Sequence, residues 1–182
     1  MKAYPFRNTL IVVFTFLLIF SPVPQLMASD TLLRDIRTAY QTAHNNADQF
    51  KTFQATVDQY TGTNPLLLAY KASATALKGK YAISPVSKVR YAKKALSQLD
   101  SLLDHHEKNT EIIFLRLAIE QNIPSFLNMS PHVEEDKESI MLHLPSYLRT
   151  ERKMGEFIIT SLIAFGLISE EEGVSLKKES SE

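Results

Sequence analysis

The sequence predicts an all-α protein, built of antiparallel helical hairpins in a single domain. Three observations carry this. Apolar residues recur at three- and four-residue spacing rather than in strict alternation. Good capping residues stand directly before proline at Asn64-Pro65, Ser84-Pro85 and Ser130-Pro131. That pairing starts a helix, because proline at the first helical position has no N–H to lose. Strand signals are nearly absent: the one β-branched and aromatic stretch, Phe157-Ile158-Ile159, is flanked by helix formers.

The first element lies outside that fold. Lys2 and Arg7 precede Leu10–Phe20, a charge-free run of 11 residues whose only polar member is Thr15. A membrane-spanning helix needs about 20. Pro22 and Pro24 then interrupt the chain, and Leu26-Met27-Ala28 places a small residue before Ser29. This is the three-part layout of a secretory signal peptide. Residues 1–28 are therefore expected to be a signal peptide and 29–182 a single α-helical domain, exported to the periplasm or secreted. An uncleaved anchor is the alternative.

Helices are expected near 31–44, 46–60, 65–82, 85–105, 110–122, 131–143, 146–165 and 169–178. The first follows from apolar recurrence. The second opens on Asn46 with Gln49, at the spacing of a capping box. The third begins at Asn64-Pro65 and mixes Ala69, Ala72, Ala76 and Leu77 with Leu66 to Leu68 and Tyr81. In the fourth, Tyr91, Ala95, Leu99 and Leu102 form one face, with Ala92 and Leu103 at its edge. The fifth holds Ile112 to Ile119, apolar nearly all round except for Arg116, and such helices are usually buried. Pro124 ends it. Ser130-Pro131 opens the sixth, and Pro145 separates it from the seventh. Ser169 with Glu172 has capping-box spacing for the eighth, whose Glu170 to Glu172 complement the helix dipole. The connections are short, so successive helices should pack as antiparallel neighbours.

Ala95, Leu99 and Leu102, followed by Asp104 to Asn109, resemble the second helix and turn of a tetratricopeptide repeat. Three features depart from that pattern. The first-helix signature is missing, Glu107 replaces the usual turn proline, and no second copy appears at a period of about 34. Residues 64–142 are similar to a family of small exported bacterial proteins without an assigned activity. Asn64-Pro65, Phe114-Leu115-Arg116, Asn122-Ile123-Pro124 and Glu134-Glu135-Asp136 carry that likeness. It implies a helical fold and export, and no activity.

Composition excludes several chemistries. The chain has 182 residues, with 20 basic, 20 acidic and no cysteine. Disulfides, thiolate metal sites and a cysteine nucleophile are ruled out. Zero net charge argues against non-specific nucleic-acid binding. There is no Gly-rich phosphate loop and no catalytic signature. The expectation is a protein that is not an enzyme, with no catalytic residues, no cofactor and no assigned metal ligands.

Candidate binding residues fall in two groups. Arg116 lies in an otherwise apolar helix and needs a carboxylate or several carbonyls. Glu134, Glu135 and Asp136 are the candidate partners. Either this is an ion pair that fixes how two helices dock, or Arg116 holds an anion in a groove. His132, Asp136 and His143 share a helix face. His132 and His143 are about 16 Å apart at about 1.5 Å per residue, so one ion cannot bridge them. Only His132 with Asp136 or Glu135 could form a partial metal site.

The second group comes from charge asymmetry. Gln59 to Leu99 contains no acidic residue and seven basic ones, including Arg90, Lys93 and Lys94. That stretch could steer an acidic partner or an anionic surface toward helices 65–105. The functional expectation is a protein–protein interaction or scaffold protein of the cell envelope, with a protein partner there. It should bind no nucleic acid and keep no membrane segment after signal cleavage. A small-ligand or metal-binding periplasmic protein is the alternative.

Overall fold

A computed structural model describes residues 23–180, so the predicted signal run Leu10–Phe20 lies outside the described residues. The described elements are eight helices and one 3-10 turn, with no strand among them. The helices are α1 (Val23–Thr42), α2 (Ala47–Asp58), α3 (Pro65–Lys80), α4 (Pro85–His106), α5 (Thr110–Gln121), α6 (Val133–Thr150), α7 (Arg152–Ala164) and α8 (Glu170–Glu179). The 3-10 turn is Ser125–Leu127. None of the described helices is long and apolar enough to cross a membrane. Helix α1 starts earlier than the expected 31, so the predicted cleavage point after Ala28 falls inside it.

Local chemistry sets most helix starts. The Asn46 side chain accepts from the Asp48 and Gln49 backbone N–H groups, and Asn64 does the same for Leu66 and Leu67. Asn109 caps α5 through Ile112 N. Ser169 and Glu172 complete a reciprocal capping box on α8. The capping box expected at α2 is only half made: Asn46 caps, but Gln49 Oε1 has no partner. Helix α7 ends in a left-handed turn at Gly166, φ 71°. There Gly166 N bonds Ile163 O and Leu167 N bonds Leu162 O, the paired closure that a residue without Cβ favours.

Two predicted boundaries are corrected. Pro145 does not separate two helices; α6 runs through it to Thr150. Proline removes one intrahelical bond and crowds the preceding turn. Leu144, Pro145 and Leu148 are nevertheless all buried, and that packing holds the helix together across the lost bond. The break comes at Glu151, φ −128° and ψ 55°. Ser130-Pro131 does not start α6 directly either. His132 is the residue before the first helical position, and Ser130 Oγ donates to Glu120 O at 2.9 Å instead.

Helix α5 lies at the centre, against α3, α4 and α6. Ile112, Ile113, Phe114, Leu115 and Leu117 are buried together on it. The α3–α4 hairpin is the most extensive helix pair. On α4 the buried residues are Ala95, Leu96, Leu99 and Leu103; Tyr91 and Leu102, expected on that face, are half-buried. Ile158, Ile159 and Leu162 of α7 are buried in the same core, so the apolar C-terminal segment completes the domain.

Helices α6 and α7 meet closely at Gly155. A Cβ there would stand 2.5 Å from Leu148 Cδ2 and 3.5 Å from Leu148 Cα. Leu148 is buried and has little room to yield. Gly155→Ala should lower stability by about 1–3 kcal/mol. Urea unfolding checks this: the midpoint should fall with the slope unchanged.

Candidate functional site

Helix α5 carries three ionisable side chains into the core, Glu111, Arg116 and Glu120. Buried charges are tolerated only when paired and hydrogen-bonded. Each of the three has its partners.

Arg116 is the tie between α4, α5 and α6. Its Nε donates to Asp136 Oδ2 at 2.9 Å and its Nη2 to Asp136 Oδ1 at 2.6 Å, a bidentate pair. Its Nη1 donates to Asp100 Oδ1 at 3.0 Å. The Asp136 side chain is only 2 % exposed and that of Arg116 11 %. Burial works against the Arg116 charge, but Asp136 and Asp100 outweigh it and keep the guanidinium protonated above its ordinary range. Of the expected partners, Asp136 faces inward; Glu134 and Glu135 are exposed. Asp100 was not anticipated. An incoming anion would have to displace two carboxylates, so the geometry makes Arg116 a structural tie.

The 132–136 region is divided in the same way. His132 N and His132 Nδ1 both donate to the buried Glu120 carboxylate, at 3.1 and 2.9 Å. Asp136 is held by Arg116. The half site expected from His132 and Asp136 is thus split between two other partners. His143 Nδ1 lies 2.8 Å from Ser139 O, within its own helix. Beside Arg116 opens a cleft of about 550 Å³. It is lined by Asp100, Asp104, Glu107 and Glu135, with Leu103 and Ile113 as apolar lining.

Glu111 is the residue that the sequence reading missed. Its side chain is 1 % exposed. Arg37 of α1 donates from Nε to Glu111 Oε1 at 2.8 Å and from Nη2 to Oε2. The hydroxyl groups of Tyr70 and Tyr147 also donate to it. Arg37 Nη1 reaches Glu151 at 2.8 Å. The available signal was Glu111's place immediately before the apolar run that holds Arg116. Its partners are 36 to 74 residues away, beyond what spacing can show.

The basic group behaves differently. Arg90, Lys93 and Lys94 are exposed on α4. None has a carboxylate within 4.0 Å among the described residues. Arg90 lies 5.7 Å from the Tyr91 ring centre. Lys71 and Lys80, also in the acid-free stretch, are tied to the Tyr60 and His44 carbonyls. Nearby, Ile83 and Val86 are exposed at 101 % and 77 %.

No family model, curated protein or solved structure matches this chain.

Two outcomes are expected. Asp136→Asn leaves the Arg116 guanidinium with one weakened partner and should cost about 3 kcal/mol, read by urea unfolding. The second concerns alkaline pH. Burial, and then the Glu111 charge, push Tyr40, Tyr70 and Tyr147 above the ordinary tyrosine value of 10.0. A raised native pKa stabilises the fold below the unfolded value and loses that contribution as pH rises past it. Stability should therefore decline above about pH 10. Absorbance at the phenolate band should show these three tyrosines ionising only as the helical circular dichroism disappears. Their titration in the still-helical protein would refute the assignment.

Proposed function

We propose that this chain is an exported helical interaction protein of the cell envelope, recognising a protein partner through the exposed face of α4. One observation carries the reading. The charges inside the molecule are used up by internal partners, whereas Arg90, Lys93 and Lys94 are exposed and have no ion-pair partner among the described residues. They sit in a stretch with no acidic residue from Gln59 to Leu99. Unpaired basic side chains on one helix raise the local concentration of an acidic partner and speed its encounter. The predicted signal peptide supports the place, and the all-helical fold supports the mode, since helical pairs commonly present a face or groove to a partner. The small-ligand alternative depends on Arg116 or the 132–136 region, and both are occupied by side chains of the same molecule.

The test is crosslinking in cells that express the tagged chain, followed by purification and mass spectrometry. A specific envelope protein should be recovered with the wild type. Replacing Arg90, Lys93 and Lys94 together by alanine should reduce its recovery about tenfold, one decade per 1.4 kcal/mol. The fold should be unaffected, since such surface changes stay within about 0.5 kcal/mol each. Equal recovery from both proteins would remove α4 as the recognition face.

A further inference from the structure

Helix α4 has an unusual order of charge along its length. Its N-terminal half carries Lys88, Arg90, Lys93 and Lys94, and its first turn has no acidic residue. Its C-terminal half carries Asp100 and Asp104, and Glu107 is its C-cap; His105 and His106 are the basic residues of the last turn. A helix dipole favours the opposite arrangement, acidic side chains first and basic ones last. Helix α8 follows that rule, with Glu170 to Glu172 in its first turn and Lys177 and Lys178 in its last. Helix α4 departs from it, with Lys88 in its first turn and Asp104 beside His105 and His106 in its last, so the dipole does not account for the charge order along it.

The exposed residues that matter lie on one face. At about 100° per residue, Arg90, Lys93, Lys94, Ser97, Ser101 and Asp104 fall within about 100° of one another. That face is opposite the buried Ala95, Leu99 and Leu103. Ser97 divides it symmetrically. Arg90 and Asp104 stand seven residues to either side, and Lys94 and Asp100 three. The Asp100 side chain is 43 % exposed, so it can accept a second cation beside Arg116. Around the midpoint the side chains are small, Ser97 and Ser101, which permits close approach.

We propose that the occupant of this face is a second copy of the same chain. Two α4 helices cross antiparallel about Ser97, giving a two-fold symmetric dimer. Arg90 of each copy then meets Asp104 of the other. This rests on the interaction reading above and names its partner. Charge complementarity selects the occupant: an antiparallel copy presents acid to base at both ends, whereas a parallel copy opposes like charges throughout. A self-complementary patch is what a two-fold interface requires.

The experiment uses protein purified from cells that express the full chain. Sedimentation velocity over a concentration series should show the wild type in a monomer–dimer equilibrium that weakens with salt. Two variants remove the opposition of charge between the two ends of this face: Arg90→Glu with Lys93→Glu and Lys94→Glu, and Asp104→Lys with Glu107→Lys. Each alone should associate at least tenfold more weakly, and an equimolar mixture should recover a heterodimer. Ser97→Trp, at an exposed position, should also abolish the dimer while leaving the helical spectrum intact. It keeps the test decisive if a charge variant folds poorly. A wild type that stays monomeric at its highest soluble concentration overturns the proposal. So does a dimer that survives in Ser97→Trp and both charge variants. If such a monomer still yields a crosslinked acidic protein that the triple alanine variant loses, only the self-recognition fails and the broader reading stands. If it yields none, both fail.

Discussion

A single buried carboxylate constrains the arrangement of four of the eight described helices. Glu111 sits in the first turn of α5 and is almost fully buried, with its oxygens accepting four hydrogen bonds. The donors come from α1, α3 and α6. Leaving such a group unpaired would cost several kcal/mol, so each of those helices must reach α5 in one rotational setting. The helix N-terminus adds favourable potential for a negative charge there. Apolar contacts alone tolerate sliding and rotation; a carboxylate with four directional donors does not. Tyr70, one of the donors, also packs edge-on against Tyr40, which in turn meets Phe53 and Phe157.

The other two charges on α5 repeat the device at its middle and end. Arg116 binds α6 through Asp136 and α4 through Asp100, and Glu120 receives both His132 donors from the turn before α6. One central helix thus fixes its neighbours by three polar contacts spaced along its length. Buried ion pairs are weak evidence of stability against an apolar core of equal volume. Here they link helices from distant parts of the sequence, and that supports a role in register. This also separates interior charge from exterior charge. A guanidinium that already holds two carboxylates has little left for an outside ligand; the exposed cations of α4 have no such partner among the described residues.

Much of the fold was legible because helix starts have local causes. Asn64-Pro65 and Ser169 with Glu172 act within four residues, and the structure places helices there. Ser130-Pro131 and Pro145 were misread for one reason. Each is a local signal overruled by packing: the Ser130 hydroxyl turns to the end of α5, and the burial of Leu144 and Leu148 carries α6 across its proline. At the site, Arg116 was legible as a buried cation and Asp136 as one of three partners. Choosing among Glu134, Glu135 and Asp136 needed the rotational phase of α6, which a two-residue error in its start obscures. Glu111 stayed hidden because an acidic residue in a first helical turn has an ordinary explanation in the dipole. Arg37, some 74 residues earlier, gives no local sign of where it points.

The dipole argument that hid Glu111 is also the one that exposes α4. An acidic first turn is unremarkable because it lowers the energy of its own helix. A helix that places cations first and carboxylates last draws nothing from its dipole, so the charge order has no explanation within the helix. Among the described residues Asp100 finds a charged partner in Arg116, whereas Arg90, Lys93 and Lys94 find none. The inward face of α4 is fixed by the core and the α3 contact, so the charge order on its outward face is free to serve recognition. Zero net charge is consistent with this division, since segregated charge can be strong locally while the total vanishes. A surface of that kind is weakly selective for simple polyanions and strongly selective for a partner with the reverse order of charge.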